Sequence, residues 1–146
     1  MADYFPGIDT IPFQGPGATT PLAFRHYNAD EVIEGKTMKE HLRFAAAYWH
    51  CFCNGGADQF GAPTRQMPWE DADPMQTARN KVDANFELCT KLGIEFYCFH
   101  DTDVAPEGAT LAESFSNFDE IAKHLKQKQD ETGVKLLWGT ANCFSN

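Results

Sequence analysis

The stretch FYCFHDTDV at 96–104 runs from an apolar segment into His100, Asp101 and Asp103. An imidazole followed three residues later by a carboxylate can do proton chemistry. The carboxylate accepts one ring N–H and fixes the tautomer, and the other ring nitrogen is left for a substrate. The same spacing also suits a polar turn leading into Ala105-Pro106-Glu107-Gly108, so the elements around it have to decide. His26, His41 and His50 have no comparable neighbour, and His124 falls on a charged helical face where a solvated role is expected.

Those elements repeat. Asp73 can cap a helix, Pro74 fits its first turn, and Gln76 offers the second half of a capping box. Met75, Ala78, Val82, Phe86 and Cys89 then recur at spacings of three and four, which predicts one apolar stripe closed by Gly93. IEFYCFH (94–100) follows as a buried strand. Thr110 and Glu113 suggest a second capping box, Leu111, Phe115, Phe118, Ile121 and Leu125 a second stripe, and Gly133 its end. VKLLWG (134–139) is the next strand.

Upstream, RFAAAYWHCFC (43–53) is a continuous apolar run ending at Gly55-Gly56, read as a buried strand although its alanines pull toward helix. PLAFRHYN (21–28) suits a short extended piece and GKTMKEHL (35–42) a short helix or turn. The order strand, helix, strand, helix, strand is that of βαβ units in a parallel sheet. Active-site groups in such folds collect at the carboxyl ends of the strands. Trp49, His50 and Phe60, then His100, Asp101 and Asp103, then Trp138, Thr140, Asn142 and Phe144 would gather there. Aromatic rings pack on the CH faces of a sugar while fixed polar groups meet its hydroxyls.

Composition removes several classes of function. The formal net charge of −9 opposes nucleic acid, and no Lys/Arg cluster offers a face for phosphate or a membrane surface. No GxGxxG or GxxxxGK[ST] follows a strand, so nothing supports a nucleotide cradle. The amino terminus lacks a secretory pattern, and no apolar run is long enough to span a bilayer. Cys51, Cys53, Cys89, Cys98 and Cys143 are odd in number and read as reduced, buried thiols of a cytoplasmic protein.

HLRFAAAYWHCFCNGGADQFG, FYCFHDTDVAPEGATL and GVKLLWGTANCFSN, taken in order, resemble successive N-terminal blocks of the xylose isomerase family. PLAFRHYNADEVIEGKTMKEHLRFA is similar to the extension and first-strand entry of its longer, N-terminally extended class. The resemblance implies an α/β fold, the N-terminal portion (about three βα units) of a (β/α)8 TIM barrel. Residues 1–42 would be an arm and extension, and 43–146 the first strands and helices of the barrel domain, with the remainder missing. It implies interconversion of D-xylose and D-xylulose, and often D-glucose and D-fructose, in a cytoplasmic homo-oligomer, expected as a tetramer.

By the same resemblance His100 assists ring opening and Asp103 holds it. Trp49, Trp138, Thr140 and Phe144 line the pocket, and Phe60 enters the site of a neighbouring subunit. Two divalent cations (Mg²⁺, Mn²⁺ or Co²⁺) would be bound by residues downstream of 146, with no metal ligand in this segment. The expected partners are a sugar, the rest of the barrel and further copies, with neither nucleic acid nor membrane. Two other readings are weaker: a non-catalytic fragment that survives as a contact piece, and another divalent-metal TIM-barrel enzyme such as a phosphodiester-cleaving one. The acidic balance and aromatic strand ends count against the latter.

Overall fold

A computed structural model describes residues 3–143. Its centre is a parallel sheet of three strands, β3 (Ala45–Ala47), β4 (Phe96–His100) and β5 (Lys135–Thr140), in that spatial order. A small antiparallel hairpin, β1 (Val32–Ile33) and β2 (Lys36–Thr37), precedes it and leads into the single turn α1 (Met38–His41). The hairpin turns through Glu34 and Gly35 with φ of 50° and 80°, the left-handed pair that a two-residue connection requires.

The run at 43–53 is shorter as a strand than its apolar length suggests. Only Ala45–Ala47 are extended, and Tyr48–Cys51 form a helical turn, α2. Side-chain size explains the switch. Three alanines give β3 little to pack on either face, whereas Tyr48 and Phe52 reach the core from the turn at 0% and 3% exposure.

The long helices are α3 (Pro74–Leu92) and α5 (Leu111–Thr132), with a helical turn, α4 (Asp101–Val104), joined directly to the end of β4. Asp73 caps α3 by accepting from the Met75 N–H at 2.9 Å, but Gln76 does not complete a box. Its amide turns along the helix and donates to Asn80 Oδ1. At α5, Thr110 accepts from the Glu113 N–H, while the Glu113 carboxylate takes the N–H of Ala109 rather than that of Thr110. Both helices end on a left-handed glycine, Gly93 and Gly133, at φ 67° and 78°.

Sheet and helices enclose one core. Tyr97 and Phe99, on one face of β4, meet Phe86 of α3 and Phe118 of α5 at ring-centroid distances of 5.3 and 6.3 Å. The α3 stripe is buried at Ala78, Val82, Phe86 and Cys89. The α5 stripe is buried only from Ile121 onward, with Phe118 packed on Phe99 just before it: Leu111 and Phe115 stand 70% and 63% exposed. β5 is exposed along its whole length.

Two further expectations are corrected. Cys89 and Cys98 are buried as free thiols, but Cys53 and Cys143 are exposed and Cys51 is half-buried. His124 is not simply solvated, since its Nε2 lies 3.0 Å from Asp83 Oδ1, an oxygen that Lys128 Nζ also approaches at 2.9 Å.

The segment before β1 lies against α3. Glu87 accepts the Tyr4 and Phe5 N–H groups at 2.8 and 3.1 Å, and Lys91 donates to Glu87 and to the Phe5 carbonyl. Among the described residues no helix is long and apolar enough to cross a membrane.

Candidate active site

The register of the sheet decides which side chains meet at its carboxyl end. Tyr97 pairs with Leu136 but Cys98 pairs with Trp138, so β5 carries one extra residue at this point. The extra residue moves Trp138 and Thr140 onto the sheet face of Cys98 and His100, with His100 opposite Thr140. It also places Gly139 opposite Phe99. A Cβ on Gly139 would lie 3.0 Å from the Phe99 ring, so glycine allows the two strands to stay paired around that aromatic.

His100 ends β4 and Asp103 follows in the α4 turn. One carboxylate oxygen, Asp103 Oδ2, lies 2.7 Å from the His100 backbone nitrogen and 3.0 Å from its ring Nδ1. An ionised carboxylate can only accept, so Nδ1 carries the proton and Nε2 is the nitrogen left for a ligand. Asp103 is 8% exposed, which shields this bond from competition by water.

Two tryptophans complete a cluster around the imidazole. Trp49, from the α2 turn, has its ring centroid 4.8 Å from that of His100 and 5.5 Å from that of Trp138. Trp138 lies 5.8 Å from His100 at an interplanar angle of 73°. The three rings thus form an aromatic wall with a hydrogen-bonded histidine inside it. Such a wall can hold the CH face of a polar ring compound and present one imidazole nitrogen to its oxygens.

The structure brings His100, Asp103, Trp49 and Trp138 together in space. Thr140 reaches the same strand end by register. Phe60 does not join them: it is 87% exposed on the loop after α2, where its N–H donates to Asp58 Oδ1, and it takes no part in the ring cluster. His50 is exposed beside Trp49. Phe144 lies outside the described residues.

Asp101 and Asn142, expected at the strand ends from sequence, and two groups that were not, Lys81 and Cys53, also support the site. Asp101 Oδ1 accepts the N–H of Asn142 at 2.8 Å and that of Thr102 at 2.9 Å, and the Asn142 amide donates to Thr102 Oγ1. These bonds clip the segment after β5 to the end of β4. Beneath them, Lys81 of α3 donates to the Asp103 main-chain carbonyl, which also accepts from the Cys53 thiol at 3.5 Å. Lys81 sits one place before the stripe residue Val82, and nothing in the helical period marks it.

Among the described residues no group of three or more His, Cys, Asp or Glu side chains could hold a metal ion. The two acidic side chains nearest the wall are already engaged, Asp103 by His100 and Asp101 by the backbone. A divalent cation would therefore need a ligand set from elsewhere.

Parallel strands joined by helices, with polar and aromatic groups at the carboxyl ends, place this chain among α/β proteins built of βα units. The comparison with known proteins narrows that class. The chain is 58% identical to a xylose isomerase of Pseudomonas fluorescens over 144 residues, 98% of this chain and 33% of the relative. It is 56% identical to that of Photobacterium profundum over 147 aligned residues, 100% of this chain and 34% of the relative. It is 54% identical to that of Enterococcus faecalis over 143 residues, 98% of this chain and 33% of the relative. No family model matches. The chain spans about a third of the length of the curated relatives it matches, and over that third it is a relative of the xylose isomerases.

Proposed function

We propose that this chain supplies the sugar-opening part of an aldose–ketose isomerase acting on D-xylose and D-xylulose. The observation that carries the reading is the His100–Asp103 pair enclosed by Trp49 and Trp138. A cyclic aldose opens when a proton leaves its anomeric hydroxyl and another reaches the ring oxygen. His100 Nε2 is the basic nitrogen free to exchange such a proton, while Asp103 keeps Nδ1 protonated and stabilises the imidazolium that forms.

Trp49 and Trp138 would pack on the pyranose CH face and exclude water from the reacting end. Thr140, and Phe144 further along, would complete the same wall. Phe60, on its projecting loop, would close the pocket of a second copy in a homo-oligomer, a tetramer in this reading. The divalent cations implied by the resemblance (Mg²⁺, Mn²⁺ or Co²⁺) would be held by residues outside this chain. D-glucose and D-fructose, one carbon longer, would be the secondary substrates.

Relatives named xylose isomerase at 54–58% identity favour this reading. The phosphodiester alternative needs uncommitted cations at the strand ends, whereas Lys81 is engaged with the Asp103 carbonyl. The test is conversion of D-xylose to D-xylulose by the assembled protein with added Mg²⁺. Folded, Mg²⁺-saturated protein that makes no xylulose would contradict the proposal.

A further inference from the structure

The dyad depends on a support that the ring-opening role leaves unexplained. Asp103 lies in a helical turn of only four residues, too short to hold its own geometry by helical bonding alone. Its side chain is fixed from one side by His100, and its main chain is fixed from the other. The Asp103 carbonyl is reached by the Lys81 ammonium, from the amino-terminal half of α3, and by the Cys53 thiol, from the loop after α2. Lys81 Nζ also lies 3.7 Å from Cys53 Sγ. Two separate elements thus converge on the main-chain carbonyl of the residue whose carboxylate orients the imidazole.

We propose that Lys81 is a positioning residue for ring opening: through the Asp103 carbonyl it locks the α4 turn so that Asp103 Oδ2 stays on His100 Nδ1. This rests on the isomerase reading above, because it assigns Lys81 a part in the same step. A hydrogen bond from a charged donor is about twice as strong as a neutral one. Its loss would let the turn rotate and the carboxylate drift from the ring. Arginine keeps the charge and several N–H donors on a stem of similar reach, so it can take over the contact. Methionine keeps the apolar stem and removes both charge and donor.

The experiment compares wild type, Lys81→Met, Lys81→Arg and His100→Asn in the assembled enzyme. Each is assayed on cyclic D-xylose and, in stopped flow, on freshly generated open-chain sugar. In parallel, the rate at which diethylpyrocarbonate modifies His100 is read by peptide mass. Misplacement of a catalytic group on the ångström scale costs up to about 100-fold. Lys81→Met is expected to lower kcat on the cyclic form by about 10- to 100-fold and to change the open-chain rate by less than about twofold, with KM little altered. The His100 modification rate should change at least about threefold, and Lys81→Arg should restore both readouts.

Equal losses on both sugar forms, or an unchanged rate of His100 modification, would overturn the positioning role. If His100→Asn itself slows both forms equally, the ring-opening reading fails. The modification rate then still shows independently whether Lys81 holds the imidazole.

Discussion

Asp103 holds His100 twice with one oxygen, at the backbone nitrogen (2.7 Å) and at ring Nδ1 (3.0 Å). The backbone bond fixes where β4 ends, and the ring bond fixes which way the imidazole faces. An asparagine at 103 keeps an amide oxygen that can still accept the His100 backbone N–H, but a neutral oxygen no longer stabilises a protonated imidazole. Asp103→Asn should therefore slow turnover of cyclic sugar by about 10- to 100-fold while open-chain turnover stays close to wild type. Equal slowing of both forms in parallel rate measurements would show that the carboxylate serves the strand end rather than the ring.

Gly139 lies opposite Phe99 in the register that brings Trp138 to the site. Gly139→Ala places a methyl group about 3.0 Å from the Phe99 ring and should destabilise the protein by roughly 1–3 kcal/mol. Phe99→Leu in the same chain should recover part of that loss, because the smaller side chain frees the space. Denaturant unfolding of the single and double variants gives the coupling, and simple additivity would mean that the close approach is unimportant.

Much of this arrangement is legible in the residues. Caps, stripes and closing glycines locate α3 and α5, because helix ends and buried faces have strong local chemistry. The His-x-x-Asp spacing at 100–103 marks the dyad, and the motif order points to the family. The β3 boundary is less legible because Ala45–Ala47, helix formers by propensity, are the strand, while the aromatic Tyr48–Cys51 form the helical turn. Periodicity puts Leu111 and Phe115 on the apolar stripe of α5 but does not say which turns of the helix find a packing partner, and these two stand exposed. Lys81 and Cys53 act through a main-chain carbonyl, and a carbonyl has no residue-type signature.

The amino-terminal arm should respond to acid through Glu87. Burial raises the Glu87 carboxyl, but Lys91, the Tyr4 N–H, Asp3 and the Phe5 N–H together outweigh burial and bring it from 4.5 down to about 2. A carboxyl lowered on folding contributes stability that is present above its unfolded value and lost as pH falls through the folded one. The arm contact should thus weaken progressively below about pH 4.5 and be gone by about pH 2. Hydrogen exchange at the Tyr4 and Phe5 amides, corrected for intrinsic rates, should follow that course. In Glu87→Gln it should be about tenfold faster already at neutral pH. Protection that stays constant from about pH 6 to about pH 2 would rule out Glu87 as the anchor.

The thiols should divide by burial. Burial pushes Cys89 up to about 12, and Cys98 is also raised by burial. Iodoacetamide at about pH 8 should leave both unmodified in folded protein while exposed Cys143 reacts. Peptide mass after timed labelling checks this, and labelling of Cys89 before unfolding would contradict the core assignment.

Phe60 stands almost fully exposed, so Phe60→Ala should change unfolding free energy by less than about 0.5 kcal/mol. If the ring closes a neighbouring copy's pocket, KM for the sugar should rise several-fold at unchanged fold stability. A large stability loss, or an unaltered KM, would remove Phe60 from the pocket.

The most direct measurement is His100→Asn in the assembled, Mg²⁺-loaded enzyme, assayed on cyclic D-xylose and on sugar generated in the open-chain form. Asparagine keeps a polar group near Asp103 but cannot exchange a proton with the ring oxygen. The cyclic form should slow by about 100-fold or more, the usual contribution of a general acid–base group, while the open-chain form should turn over at close to the wild-type rate. Equal slowing of both forms would contradict the central claim that the His100–Asp103 pair opens the sugar ring.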